Sequence, residues 1–328
     1  MMMKRFWSFA FLLLLAFPAI SQVVRTKDAL LMGGRFDITI VATDSITAEK
    51  NIDTVIAEIS RIENLISDWI PASQVSLVNR QAGIAPVKVD RELLELTERA
   101  IAISKQTDGA FDISFAAMEK IWRFDGSMTT MPHRDSVKKA VAHVGYKNIE
   151  INRDSSTIFL TKKSMKIGFG ALGEGYAVDK CRAMMEAKGI AAGIINATGD
   201  IQAWGTQPDG QPWNIGVTDP FNRGALLAAI PLQGGIATSG NYEKYALINN
   251  KRYAHIIDPR TGYPASGLTS VTVTGPGTEM CNALSTSVMV LGKSRGRKLL
   301  KRFPEYQYLI ITDKGKRIVS KGLKLEYL

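Results

Sequence analysis

The stretch Ile167–Asp179, IGFGALGEGYAVD, carries the clearest chemical potential in the chain. Glycines at 168, 170, 173 and 175 follow a strand-like run over Met165–Ile167 and precede a helical pattern through Met185. Backbone N–H groups in such a turn, backed by a helix N-terminus, can face an anion, so the segment reads as a phosphate-binding turn. Gly168, Gly170 and Gly173 satisfy G-x-G-x-x-G, a pattern that is weak when it stands alone.

Three familiar chemistries fail on context. A dinucleotide fold needs the motif in an early βαβ unit with an acidic ribose ligand about 20 residues on. Here the motif is in mid-chain, Glu186 lies inside the helix, and Asp200 follows a strand that runs into Gly-rich hairpins. A G-x-x-x-x-G-K-[ST] loop is absent, which removes the P-loop reading. No Gly-x-Ser-x-Gly stands on a strand-to-helix turn, and three histidines offer few bases for a serine hydrolase.

The elements that must position this turn can be read from periodicity. Ala29–Thr43 reads as a strand pair around Met32-Gly33-Gly34, with Phe36, Ile38 and Ile40 alternating against polar neighbours. Ile52, Val55, Ile56, Ile59, Ile62 and Ile66 keep helical spacing, with Thr47 as N-cap and an end near Trp69-Ile70-Pro71. Ser67–Asn79 then reads as polar and irregular. Its one large aromatic, Trp69, is either core or a stacking platform, and composition favours core. A second helix runs from an Asp90 N-cap to about Thr107 and stops at Asp108-Gly109. Asp112, flanked by apolar residues just past that stop, fits a turn-bracing role better than a catalytic one.

Residues 126–136 read as a loop, followed by a helix over Ser136–Val144 and strands at Ile149–Ile151 and Thr157–Leu160. Past the glycine turn, Ala192–Asn196 reads as a buried strand. Strands at Trp213–Val217, Leu226–Pro231, Tyr253–Ile257 and Thr269–Thr274 then alternate with Gly- and Pro-rich turns, the signature of antiparallel pairing. Helices over Asn282–Leu291 and Ser294–Phe303 and strands near Tyr308–Ile311 and Arg317–Val319 complete the chain.

With 328 residues and 45% apolar composition, the chain can bury a sizeable core. Lys4-Arg5, the apolar run Phe6–Phe17 and Ala19-Ile20-Ser21 form a three-part secretory signal pattern, with cleavage expected after Ser21 and residues 22–328 as the mature, exported, periplasmic domain. The minority reading is an uncleaved membrane anchor. Loss of Lys4 and Arg5 lowers the formal charge from +10 to +8. Its Lys/Arg clusters, Lys293–Arg302 and Lys314–Lys324, read as solvated faces and not as a nucleic-acid interface. Cys181 and Cys281 are too few and too far apart for a zinc site, and Cys181, in step with Tyr176, Ala177, Met184 and Met185, reads as a buried thiol.

The motifs become specific in combination. Met32-Gly33-Gly34, Ser67–Asn79, Gly109–Ser114 with Trp122 downstream, Gly170–Asp179, Asn196–Asp200, Ala237–Glu243, His255–Pro264 (HIIDPRTGYP) and Asn282–Thr286 occur in that order. In this the sequence resembles the ApbE family of FAD:protein FMN transferases, from about Leu30 to Thr312. The resemblance implies an α+β fold of mixed, mostly antiparallel sheets with packed helices, a single large T-fold-related domain. It also implies a Mg²⁺-dependent transfer of FMN from FAD to a Thr or Ser hydroxyl of an exported flavoprotein, with AMP leaving. Acceptors in the family include subunits of membrane redox pumps.

By position, the resemblance assigns Met32, Trp69, Ala110, Phe111, Asp112, Gly168, Glu174 and Ile257 to FAD. The main-chain oxygen of Ala171 with Asn282, Ser285 and Thr286 go to the metal. His255 is the candidate general base, since an imidazole near its natural pKa can accept a hydroxyl proton; the alternative is a histidine bound at a strand end. Asp258 is expected to brace its turn, and Arg260 to do the same or to meet phosphate. Three positions depart from the family pattern: Asn282 and Gly168 where Asp is usual or frequent, and Thr198 where Gly is common. Because Mg²⁺ prefers carboxylate oxygens, Asn282 keeps open two alternatives, an FAD-binding store or sensor and an FAD pyrophosphatase. A dinucleotide dehydrogenase is the distant third.

Overall fold

The computed structural model describes residues 22–328 apart from positions 223, 243, 244 and 250. The expected signal segment, 1–21, lies outside the described residues. The chain opens with a hairpin, β1 (Val23–Leu31) and β2 (Gly34–Ala42), paired from Val23↔Ala42 to Leu31↔Gly34. Met32 and Gly33 turn it with φ of 52° and 78°, a conformation that glycine tolerates and that methionine holds here only within the tight turn.

α1 (Ser45–Ile66) follows. Its N-cap is Asp44, whose carboxylate accepts from the Thr47 N–H, so the cap expected at Thr47 sits three residues earlier. Ile52, Val55, Ile59 and Ile62 are fully buried with Phe36, Ile38 and Ile40 of β2, each such side chain contributing about 1.5–3 kcal/mol of burial. The irregular Ser67–Asn79 segment contains α2 (Gln74–Arg80), which Ser73 caps by accepting from the Ser76 N–H. Proline at 71 and polar residues around it mask a helix this short.

β3 (Val87–Lys88), α3 (Arg91–Gln106), a 3₁₀ turn over Ile113–Ala117, α4 (Arg134–Ala140), β4 (Ile149–Asn152) and β5 (Thr157–Leu160) come next. Asp90 sits at the start of α3 without a side-chain cap bond. α5 (Gly173–Ala187) leads to β6 (Ala192–Ala197), β7 (Asp200–Trp204), β8 (Trp213–Thr218), β9 (Leu226–Leu232), β10 (Gly234–Gly240), β11 (Tyr245–Ile248), β12 (Lys251–Ala254) and β13 (Leu268–Gly275). The strand expected over Tyr253–Ile257 therefore ends at Ala254, and Ile257 makes a single bridge to Pro264. α6 (Thr278–Leu300) breaks at Gly292 (φ 71°), which reproduces the two expected helices; β14 (Gln307–Thr312), β15 (Arg317–Val319) and β16 (Glu326–Tyr327) finish the chain.

One eight-stranded sheet, in the order β1-β2-β6-β7-β10-β13-β14-β15, is the frame. Its pairings are all antiparallel. Smaller sheets β16-β9-β8, β3-β5-β4 and β11-β12 flank it. Helices α1 and α5 pack on the β2 and β6 side, and α6 packs on β10, β13 and α5. This is a single α+β domain with mostly antiparallel sheets, as the resemblance implies. Both cysteines are free and buried, the Cys181 thiol within the α1–α5 core. Among the described residues no helix is long and apolar enough to cross a membrane.

Candidate active site

A cleft of about 870 Å³ opens where the ends of these elements meet, within the size range of small-molecule sites. Trp69, Ala110, Phe111, Asp112, Gly168, Ala171, His255, Ile257, Asn282 and Thr286 all line it. Met32 and Glu174 line an adjoining cavity of about 340 Å³ that shares Asp68, Trp69 and Gly170 with the main one. Ser285 does not reach the wall: it is fully buried behind Asn282, whose carbonyl accepts from its hydroxyl at 3.0 Å.

Trp69 is not core. It is 78% exposed at the junction of the two cavities, with the Lys120 ammonium 4.8 Å from its ring centre. A large flat side chain left in water beside a cleft is suited to stacking on a planar ligand.

Asp112 braces a turn. One carboxylate oxygen accepts from the Ser114 N–H and hydroxyl at 2.8 and 2.6 Å, and the other from the Tyr146 N–H at 2.8 Å. Burial raises its pKa against the pull of those bonds. Asp258 and Arg260 likewise hold their own loop. The guanidinium bonds both Asp258 oxygens at 2.8 and 2.7 Å, and it also reaches the Asp108 carbonyl at 3.3 Å.

The glycine turn differs from its expected form. Met165–Ile167 is not a strand in a sheet. Asn79 stands in for a neighbouring strand, with its amide donating to the Ile167 carbonyl at 2.9 Å and its oxygen accepting from the Ile167 N–H at 2.8 Å. None of Gly168, Gly170, Gly173 and Gly175 takes a positive φ. A Cβ on Gly175 would come within 2.8 Å of the Thr278 and Glu279 backbone, so that glycine lets α5 touch the start of α6. Gly170 alone has open space around it and faces the cleft.

Asp179 locks the same contact. Its carboxylate, from the second turn of α5, accepts from the Thr278 and Glu279 N–H groups at 2.8 and 2.9 Å, capping α6, whose own N-cap, Gly277, has no side chain to offer. Burial pushes the Asp179 carboxyl up to about 6. α5 and α6 are thereby fixed to each other, and with them the glycine turn and Asn282.

Asn282 lies one turn into α6. Its amide nitrogen donates to Asp200, a carboxylate that burial pushes up to about 7, with Glu174 and Asp179 adding to the rise and the Asn282 bond opposing it. Its oxygen therefore turns to the Thr286 hydroxyl at 3.3 Å. The Ser239 hydroxyl joins them, 3.2 Å from that of Thr286 and 2.9 Å from that of Ser285. An amide oxygen among hydroxyls, beside a carboxylate, is an all-oxygen donor set of the kind hard cations take. Glu174, whose pKa burial raises, accepts from the Thr198 hydroxyl at 2.6 Å. Thr198 itself has a φ of 52°, which accounts for glycine being the easier residue there.

Asp68, Asp200 and Ser239 are the site residues that the sequence does not single out, although each falls inside one of the eight motif segments. His255 is solvent-exposed at the cleft, with its ring edge-on to Phe124 at 6.5 Å.

A family model described as the ApbE family matches residues 32–310. The chain is 28% identical over 305 residues to an FAD:protein FMN transferase of Klebsiella pneumoniae, covering 91% of this chain and 87% of that one. It is 29% identical over 289 residues to the enzyme of the same name from Treponema pallidum, covering 83% and 80%. Among solved structures, the ApbE protein of Thermotoga maritima superposes with a TM-score of 0.81 at 31% identity, covering 91% of this chain and 97% of that one. The apo flavinyl transferase ApbE of Pseudomonas stutzeri gives 0.81 at 26%, covering 93% and 97%.

Proposed function

The chain belongs to the ApbE family and is an enzyme of the flavin transferase class, and on that premise we propose that it moves FMN from FAD to a Ser or Thr hydroxyl of an exported flavoprotein. The observation that carries this reading is the convergence of Trp69, Phe111, Ala171, His255, Asn282 and Thr286, drawn from the whole length of the chain, on one cleft.

In the reaction, the acceptor oxygen attacks the FMN-side phosphorus, the bond from that phosphorus to the bridging oxygen breaks, AMP leaves, and the hydroxyl proton passes to a base. His255 is the base in this account, exposed at the cleft where an incoming hydroxyl can reach it. Trp69 and Phe111 supply flat apolar surface for the ring systems of FAD. The open space around Gly170, with exposed Ala171 beside it on the cleft wall, lets the pyrophosphate approach the backbone closely. Asn282, Thr286 and the Ala171 carbonyl would hold Mg²⁺, which supplies charge neutralisation at the pyrophosphate. Ser285 acts from behind by holding the Asn282 backbone in place. The Lys4-Arg5 and Phe6–Phe17 pattern supports export to the periplasm, and fractionation of the full-length protein checks it.

Incubation of residues 22–328 with FAD, Mg²⁺ and an acceptor carrying a Ser/Thr-Gly-Ala-Ser/Thr segment tests the function. A fluorescent adduct that survives SDS, with AMP released, is the expected result. AMP and FMN appearing without any adduct, using an acceptor that a related transferase modifies, would move the assignment to FAD hydrolysis.

A further inference from the structure

Transfer to a protein requires a hydroxyl-bearing segment to enter the cleft, and the edge strand of a small sheet borders that entrance. β8 ends the three-stranded sheet β16-β9-β8. It pairs with β9 in one register from Trp213↔Leu232 to Val217↔Ala228, shifts by one residue at Thr218↔Leu226, and, among the described residues, pairs with no strand on its other side. Four consecutive residues of β8, Ile215, Gly216, Val217 and Thr218, line the cleft. Side chains of successive residues point to opposite faces of a strand. A wall that includes both parities is therefore formed by the edge of the strand and not by one face. Of the other strands that contribute to the wall, β7 does so through Ile201, paired with both β6 and β10, and β10 through Ile236, paired on both sides, and Thr238–Gly240, which pair with β13 alone and reach the cleft beside the Ser285 and Thr286 hydroxyls.

Exposed edges usually carry a device against stray pairing, such as a charged residue or a proline. β8 reads WNIGVT and has neither. Its edge is thus a ready template for one more strand, beside Asn282, Thr286 and His255 on the same cleft.

We propose that the free edge of β8 is the docking site for the acceptor, which binds as an extended segment by adding a strand beside Ile215–Thr218 and so carries its Ser or Thr hydroxyl into the cleft. Main-chain pairing gives affinity that depends little on sequence, while alternate side chains of the segment face the cleft and set specificity. The inference rests on the transferase reading in that it takes the occupant to be the acceptor.

The test uses the protein with bound FAD and a short peptide containing the Thr-Gly-Ala-Thr segment, with two readouts. Amide hydrogen exchange over residues 213–218 is measured with and without peptide, and a series of peptides N-methylated at successive single positions is assayed for binding. Strand addition predicts slowed exchange in β8 and a loss of affinity of about tenfold or more, as expected for one lost main-chain hydrogen bond of roughly 1.4 kcal/mol, at every second methylated position. Peptide binding with unchanged exchange in β8, or methylation effects without the alternation, overturns the docking mode. Absence of peptide binding also overturns it. Adduct formation, scored separately by SDS-stable fluorescence, reports on the transferase reading, so the two can fail independently.

Discussion

The Asn282 side-chain amide donates to the Asp200 carboxylate across 82 positions of sequence, and this one bond decides which end of Asn282 faces the cleft. An aspartate at 282 could not donate it. With Asn282 in place, Asp200 has a neutral partner, the amide oxygen turns to Thr286, and a carboxylate still stands at the site. The carboxyl group that position 282 lacks is therefore present one side chain away, with burial raising it to about 7 so that it carries its full charge only above neutral pH.

Asn282→Asp would set a second, half-buried carboxyl against the buried one of Asp200, which is unfavourable until one is protonated or a cation sits between them. The metal-free variant is expected to melt several degrees below the parent in EDTA and to recover most of that loss in millimolar Mg²⁺, by linkage of binding to folding. The parent should respond to Mg²⁺ less. Thermal melts of both proteins in EDTA and Mg²⁺ check this, and equal metal responses would count against a cation at Asn282.

Asp179→Asn tests the clamp between α5 and α6. The Asp179 pKa of about 6 lies above its ordinary 3.8, so between those values the folded state holds a proton that the unfolded state has released. Its contribution to stability is thus fully present below about pH 4 and is lost as pH rises through about 6. Urea unfolding from pH 4 to 7 should show a shallower pH slope for the variant than for the parent. The difference across the window should be at most roughly 3 kcal/mol. Asp179→Ala, which removes both acceptor oxygens, should cost about 1–2 kcal/mol at neutral pH through the lost cap.

Asn79 supports the glycine turn through paired bonds to Ile167. Replacing it by Asp keeps the acceptor for the Ile167 N–H but sets an oxygen against the Ile167 carbonyl. Both Asn79→Ala and Asn79→Asp should lose about 1–3 kcal/mol and weaken FAD binding, with Asp the worse of the two. An Asp variant as stable as the parent would show that the pairing does not hold the turn.

Gly168 explains itself through its neighbours. A Cβ there would lie 3.1 Å from the Ala116 Cβ and 3.2 Å from an Asp68 carboxylate oxygen. Gly168→Asp should therefore destabilise the protein, and Asp68→Asn in the same chain should restore part of the loss. Melting temperatures of the single and double variants decide it.

Much of the fold was legible because periodicity is a local signal. The α1 pattern from Ile52 to Ile66 and the alternation in β2 each lie in one segment, and the structure places them as read. What escaped depends on distant partners. Nothing near Met165 says that its extended run pairs with an asparagine side chain 88 positions away. α2 is too short, and too polar beside Pro71, to show a face. Trp69 reads as core by composition because composition carries no information about which aromatic is left at a cleft mouth. Most of the residues picked by family position line one cleft, with Met32 and Glu174 in the adjoining cavity and Ser285 behind the wall, but Asp200 was legible only as a member of a motif, since its bond comes from Asn282 on the far helix.

The central claim is the transfer of FMN with AMP as the leaving group, using His255 as base. The most direct measurement is mass spectrometry of the acceptor together with quantified AMP, for the parent and for His255→Ala. The account predicts one FMN joined as a phosphoester for each AMP released by the parent, and a fall of about a hundredfold or more in that rate for the variant with FAD affinity little changed. An unmodified acceptor alongside released AMP, or a variant as fast as the parent, would contradict it.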